Sequence, residues 1–486
     1  MNKTNRGAGA FRLPIFFFLF TILCAPAPAE PGTFRYDYTY DFWGYEEPSI
    51  PAFTVERTID FRGALTGVDD IFAGGGRLFI ADARESRILV LDGAFKPEAM
   101  LKTLSGPAGE GVSLSNPEGV FFHEKTNRLF IADTGAERIL VLDGDAYSLE
   151  RIITRPAGMS GGTRFAPSKI VVDNAERIYF VVQGGGEGIV ELTPGGDFSR
   201  YFGVNKPRVN LLELFWRMFA TAEQRAKMNR VFAPAFNNID IDAKGFIYAS
   251  SYDNASAFAL FRLNPKGENV LIEKEKPSWV EDAGDLFGFP SEFMDVAVNG
   301  YGAYAALDRR MGRIFVYDFF GELLTIINIP AQAKGSLPSP GGIAWFGDYL
   351  VAADRQLNTV YVYALTAFGK LAFGAAERYY RGEWEAAAGL LEEAVRLNAN
   401  YNSAYSGIGK YYLMEGDYGK ALYYLKLGQN RPYYSKAFNQ YRSQWIKNNF
   451  VWFALAFMAG ITALVFTEFR YHQKTKKGGE KNAQAA

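Results

Sequence analysis

Arg77-Leu78-Phe79-Ile80-Ala81-Asp82, a short polar turn, and Arg87-Ile88-Leu89-Val90-Leu91-Asp92 recur almost letter for letter from Arg128 to Asp143. Each copy reads as a strand, a turn and a second strand, dense in β-branched and aliphatic residues. Four weaker copies begin at Arg177, Gly245, Gly302 and Asp348. In four of the six, the second strand's first aliphatic residue follows the aspartate by six positions: 82 to 88, 133 to 139, 308 to 314 and 354 to 360. A repeated two-strand unit cannot bury both of its faces alone, so neighbouring copies must cover them.

A short apolar strand precedes each pair, as at Gly119-Val120-Phe121-Phe122 and Lys169-Ile170-Val171-Val172. Another follows several of them, as at Leu323-Leu324-Thr325-Ile326-Ile327. Four strands per unit, repeating at roughly 50 residues, describe the blades of a β-propeller. The sixth unit stops after its third strand, and Thr54–Asp60 ahead of the first has the character of the missing one. The sequence therefore predicts a six-bladed propeller over 54–365, closed by pairing of its two ends so that no edge stays open. Residues 205–233 break the strand pattern with helical spacing and are expected as an insert over the channel mouth. The aromatic segment 30–53, rich in Tyr and Phe, is expected as a strap against the outside.

After Tyr363 the period changes. Gly382-Glu383-Trp384 with Ala387, and Gly416-Asp417-Tyr418 with Ala421, lie 34 residues apart, as do Leu391 and Leu425. This spacing resembles the tetratricopeptide repeat, although Arg378 stands where an aromatic residue is usual. The resemblance implies helical pairs over 366–447. Residues 450–467 are uncharged and apolar, with Trp445 and Trp452 at one end and basic residues at the other, which fits a transmembrane helix of ~20 residues over 448–469, and the basic tail 470–486 is then cytoplasmic. At the other end, Lys3, Arg6 and Arg12, an apolar run to Leu23 and Ala27-Pro28-Ala29 read as a signal peptide over 1–29. Its removal takes Cys24, the single cysteine, so the mature domain would be extracytoplasmic and without disulfides. The overall expectation is multidomain: an all-β propeller, all-α helical repeats and one membrane span, with only the tail inside the cell.

The Ile-Ala-Asp turn followed by Arg-Ile, together with Asn116-Pro117-Glu118-Gly119-Val120, resembles the NHL-repeat propellers. More loosely, 54–365 resembles the gluconolactonase and regucalcin family. The first resemblance implies structural roles for Asp82, Asp133, Asp308 and Asp354 and for Arg87, Arg138 and Arg313. The second implies a divalent metal, calcium by its oxygen ligands, at the channel mouth. Glu118, Asn238 and Asp295 fall on the matching positions, one or two residues before each innermost strand's first aliphatic. Lys169 in the same ring departs from that pattern, because its ammonium competes for the carboxylates. An ion-paired, water-filled lining is the alternative account of these residues.

A formal net charge of −1 argues against a nucleic-acid binder driven by bulk electrostatics. Of the two histidines, His472 lies in the tail and His123 at the far end of a first strand, so no Ser-His-Asp triad fits the functional face. The sequence therefore favours a non-enzymatic, membrane-anchored scaffold for a protein partner, with carbohydrate as a second ligand class, over a calcium-dependent lactonase or esterase. Lys370, Arg378, Tyr405, Lys410 and Tyr412, on the first helix of each helical pair, are the expected groove for an acidic or carboxylate-ended peptide.

Overall fold

The computed structural model describes residues 37–41, 46–106, 110–159, 164–185, 188–203, 235–252, 259–271 and 291–483. Six antiparallel sheets follow one another along the chain. Their innermost strands are Asp70–Gly74, Pro117–His123, Pro167–Val172, Asn238–Ile241, Phe293–Val298 and Pro340–Phe346. Each touches the innermost strand of the blade before and after it, and the sixth touches the first. The result is the expected six-bladed β-propeller. Four strands are present in each blade except the fourth, which has three among the described residues. The ring closes where Phe53–Asp60 pairs antiparallel with Thr359–Leu365, with Ile59 opposite Val360 and Thr58 opposite Tyr361. The expected signal peptide and the insert at 205–233 lie outside the described residues.

The repeated aspartate explains why the motif is kept. Asp82, Asp133, Asp308 and Asp354 are all fully buried, and a buried carboxylate is tolerable only when donors surround it. Each accepts a backbone N–H from the loop that feeds its own blade's innermost strand: Thr66 at 3.1 Å, Ser115 at 2.6 Å, Glu292 at 3.0 Å and Ser339 at 2.6 Å. Arg87, Arg138 and Arg313 then pair with the first three, at 3.0, 2.7 and 3.0 Å. Arg138 also donates to the Ser113 carbonyl at 2.6 Å. One turn thus fixes both strands of its hairpin and the entry to the channel wall.

Glycine sits where adjacent blades come closest. A Cβ on Gly119 would lie 2.3 Å from the Ser168 carbonyl oxygen in the next blade. Outside the ring, the hairpin of Asp37–Tyr40 and Glu46–Ser49 extends the fifth blade through Tyr38 opposite Ile326. This part of the aromatic segment covers a sheet edge as added strands. Tyr38 is buried, and its hydroxyl accepts from Arg313 at 3.0 Å.

Five helices are present among the described residues: α1 (Ala367–Tyr380), α2 (Trp384–Leu397), α3 (Asn402–Glu415), α4 (Tyr418–Leu427) and α5 (Arg431–Ala483). Thr366 caps α1 by accepting from Gly369 N–H at 3.1 Å, while its hydroxyl donates to the Pro51 carbonyl at 2.7 Å. Helix α1 turns Phe373 onto Phe53, ring centres 5.1 Å apart, and Phe368 onto Tyr401 at 5.2 Å. Burying each such ring is worth about 1.5–3 kcal/mol. The docking is tight: a Cβ on Gly369 would meet the Ala52 carbonyl oxygen at 2.1 Å.

Helix α5 merges the end of the expected helical repeats with the expected span and tail. Its one proline, Pro432, sits in the first turn, where a proline is tolerated, and Asn449 turns its amide back to the Trp445 carbonyl at 2.8 Å without breaking the backbone. It is long and apolar enough to cross a membrane, with mean hydropathy 2.1 over its apolar window and none of that window buried.

These contacts set opposite expectations for glycine replacements. Gly119→Ala and Gly369→Ala should each destabilise the folded chain by about 1–3 kcal/mol through overpacking. Gly389→Ala, in α2 with nothing within 4 Å of its added Cβ, should stabilise it by roughly 0.5–1 kcal/mol. Thermal unfolding of the detergent-solubilised chain measures all three, and equal shifts would contradict the packing described.

Candidate functional site

Alternation along the six innermost strands turns every second side chain toward the axis, and these side chains build the channel. On the side where the strands begin is a cavity of about 840 Å³, lined in part by Asp69, Glu118, Asn237, Tyr252 and Arg355. On the side where they end is a second cavity of about 450 Å³, with His123, Asp240 and Asp242 in its wall. Lys169, Asn238 and Asp295 line both, so these three form the layer between them.

That layer is fully bonded. Lys169 Nζ lies 2.6 Å from Asp70 Oδ1 and 3.1 Å from the Asp69 carbonyl oxygen. Asp70 Oδ2 accepts the Val120 N–H at 3.1 Å, from the next blade. Asn238 donates its amide to Asp295 Oδ1, which also accepts its neighbour Val296 N–H at 2.7 Å. Asp295 Oδ2 takes the Ile343 N–H of the sixth blade at 2.8 Å. Burial pushes Asp295 up to about 7, against the lowering effect of the Lys169 charge. Asp240, whose Oδ2 accepts Val298 N–H at 2.7 Å, is likewise pushed up to about 7 by burial. Three of these carboxylates therefore staple neighbouring blades through backbone N–H groups.

The three residues expected to hold calcium all line the wide cavity, each already engaged by protein donors. Asn238 and Asp295 are in contact, but the Asn238 carbonyl oxygen turns to Ile239 N–H at 2.6 Å. Glu118 accepts from Asn116 at 2.8 Å and from Gln183 at 2.9 Å, on the wide side only. Among the described residues no group of three or more His, Cys, Asp or Glu is placed to hold a metal ion. His123 lies at the far end, as expected; Nδ1 meets Thr126 Oγ1 at 2.7 Å, and burial lowers its pKa. Asp240 is the channel acid that sequence reasoning missed. Counting two residues on from Asn238 along the strand would have found it.

The expected peptide groove is distributed differently. Lys410 is directed at the fifth blade and pairs with Glu322 at 2.9 Å. Next to it Ser403 donates to the Leu323 carbonyl at 3.2 Å, and Tyr379 packs on Phe320 with ring centres 5.3 Å apart. Arg378 is exposed and pairs with Glu383. Tyr412 donates to Glu392 at 3.3 Å and stacks on Tyr424, while Tyr405 is half-buried. Lys370 lines a separate cavity of about 860 Å³ between α1 and the sixth and first blades. The blade turn facing α3 is the element that helical spacing alone could not reveal.

Neither a family model nor a curated protein matches this chain. Solved structures do resemble it. Virginiamycin B lyase from Staphylococcus aureus aligns at 12% identity with a TM-score of 0.42, over 65% of this chain and 100% of that one. A streptogramin B lyase aligns at 13% identity with a TM-score of 0.37, over 65% and 98%. Hydrazine synthase from Kuenenia stuttgartiensis aligns at 14% identity with a TM-score of 0.39, over 63% and 97%.

The contact between the fifth blade and α3 carries a pH dependence. Asp318 accepts the N–H groups of Phe320 and Glu322 at 2.8 and 2.9 Å. Burial, then the neighbouring Glu322 charge, push its carboxyl up to about 7, against Lys410. A raised folded-state pKa means the native state holds the proton more tightly than the unfolded chain does. Its contribution to stability is complete below the ordinary aspartate value of roughly 4 and is lost as pH rises through about 7. Asp318→Asn should therefore unfold at higher temperature than the parent at pH 8, with the difference shrinking by pH 5. Melting profiles that run parallel across that range would rule this out.

Proposed function

We propose that the chain is a membrane-anchored binding scaffold that presents the propeller outside the membrane to a protein partner in a cell-envelope complex. The observation that carries this reading is the packing of α1 and α3 on the sixth and fifth blades, continuous with α5. A propeller joined through buried contacts to a membrane-spanning helix is suited to holding a binding face at a set height and orientation. Under this reading 1–29 is a removed signal peptide, the tetratricopeptide-like pairs form a rigid mount, and the tail after Arg470 is cytoplasmic. Lys410 serves the mount, and the partner meets the wide mouth of the channel. There Gln183, Asn237, Tyr252 and the Arg309–Glu292 pair offer mixed polar contacts of the kind found at protein interfaces. Carbohydrate is the second ligand class such a surface suits. A calcium-dependent hydrolase gains no support from the arrangement of Glu118, Asn238 and Asp295.

Photo-crosslinking of the full-length chain in its native membrane tests the docking face. A photoreactive residue at Gln183 or at Tyr252 should give a product of the same discrete mass, and one at Lys426 on α4 should not. No product from either mouth position, or the same product from α4, would overturn the reading. Orientation is tested separately. Protease added to intact, wall-stripped cells should digest the propeller and spare a tag at residue 486; loss of the tag would reverse the topology.

A further inference from the structure

Lys169 reaches from the third blade to the first, across the mouth of the second. Its ammonium is held by a carboxylate oxygen and a backbone carbonyl, at 2.6 and 3.1 Å. The Asp295 carboxylate faces the same charge. Carboxylate and carbonyl oxygens around one small positive centre are what a hard divalent cation takes as ligands. The position is little exposed: the Lys169 and Asp70 side chains are only 14% and 9% accessible. Two buried acids, Asp70 and Asp295, would repel each other across this layer without a cation between them.

We propose that Lys169 is the channel's own cation. Its ammonium takes the place a divalent ion would occupy among Asp70, the Asp69 carbonyl and Asp295, and it seals the wide cavity from the narrow one. The native propeller accordingly takes no divalent ion at this layer, and a ligand entering the wide mouth stops at Lys169. Tethering the charge covalently makes the layer independent of metal supply, at the cost of fixing its position on one blade. The inference does not depend on the scaffold reading, since a scaffold with or without a channel metal would dock a partner in the same way.

Lys169→Gln removes the ammonium and keeps most of the side-chain volume. In the full-length chain in detergent with chelator, this variant should melt lower than the parent, because Asp70 is left buried beside Asp295 without its partner. Calcium should then raise its melting temperature saturably and bind at least an order of magnitude more tightly than to the parent. Adding Asp70→Asn to Lys169→Gln should abolish that binding. A folded Lys169→Gln chain that ignores calcium overturns the proposal. Terbium luminescence on the parent chain provides a check that no variant's folding can obscure. No sensitised terbium signal that depends on Asp295 is expected, and a saturable one removed by Asp295→Asn would overturn the assignment.

Discussion

The pairing of Phe53–Asp60 with Thr359–Leu365 is the constraint on which the rest of the molecule depends. With a single cysteine the chain can form no internal disulfide to hold a ring, so closure rests on backbone hydrogen bonds and side-chain packing between segments some three hundred residues apart. Bringing such distant ends together carries a loop-closure entropy that grows only logarithmically with length. The larger consequence of leaving them apart would be two exposed sheet edges. The same strand also starts the helical module. Ala52 and Phe53, at its head, are the surface against which Gly369 and Phe373 of α1 are fitted. Ring closure and the docking of α1 therefore share one surface.

The repeated aspartates show how a propeller tolerates charge in its interior. Three copies use an arginine, but Asp354 is followed at the equivalent position by Thr359. There the carboxylate is held by backbone N–H groups, including Ser339 at 2.6 Å and Leu357 at 2.7 Å. Satisfying the lone pairs is the requirement, and the arginine is one way of meeting it. Each arginine also does a second thing: Arg87 reaches the Ala64 carbonyl, Arg138 the Ser113 carbonyl and Arg313 the Tyr38 hydroxyl. The motif reads as a joint between the outer turn and the channel wall.

The same chemistry recurs on the axis. Asp70, Asp240 and Asp295 each accept a backbone N–H from the next blade, so the residues that look most like a binding site are also those that hold neighbouring blades in register. This is why the ring of the site was legible in the sequence and its contents were not. Strand spacing placed Glu118, Lys169, Asn238 and Asp295 at the channel, and all four line it. Whether a carboxylate is free for a ligand depends on which N–H the adjacent blade presents, and no single strand records that. Asp240 lies two residues further along its strand than the ring positions at the strand starts. The blades, the ring closure and the apolar helix were legible because each follows from periodicity. The position of Lys410 against Glu322 was not, because it joins two modules whose sequences carry no common period.

The placement of the helical module also decides which of its surfaces stay open. Helical repeats of this spacing ordinarily leave the surface of their first helices open. Here α1 and α3 turn that surface onto the propeller, through Phe373, Tyr379 and Lys410, and the next helical contact, Ala437 against Ala421 and Leu425, belongs to α5 itself. An unbroken line of buried contacts thus runs from the closing strand of the ring to the helix suited to cross a membrane. Movement of the propeller relative to that helix would have to break this packing, which interiors resist because they are close-packed. A tether meant to let a binding domain search for its partner would use a flexible linker. This chain has packed helices between the propeller and its long apolar helix instead of such a linker.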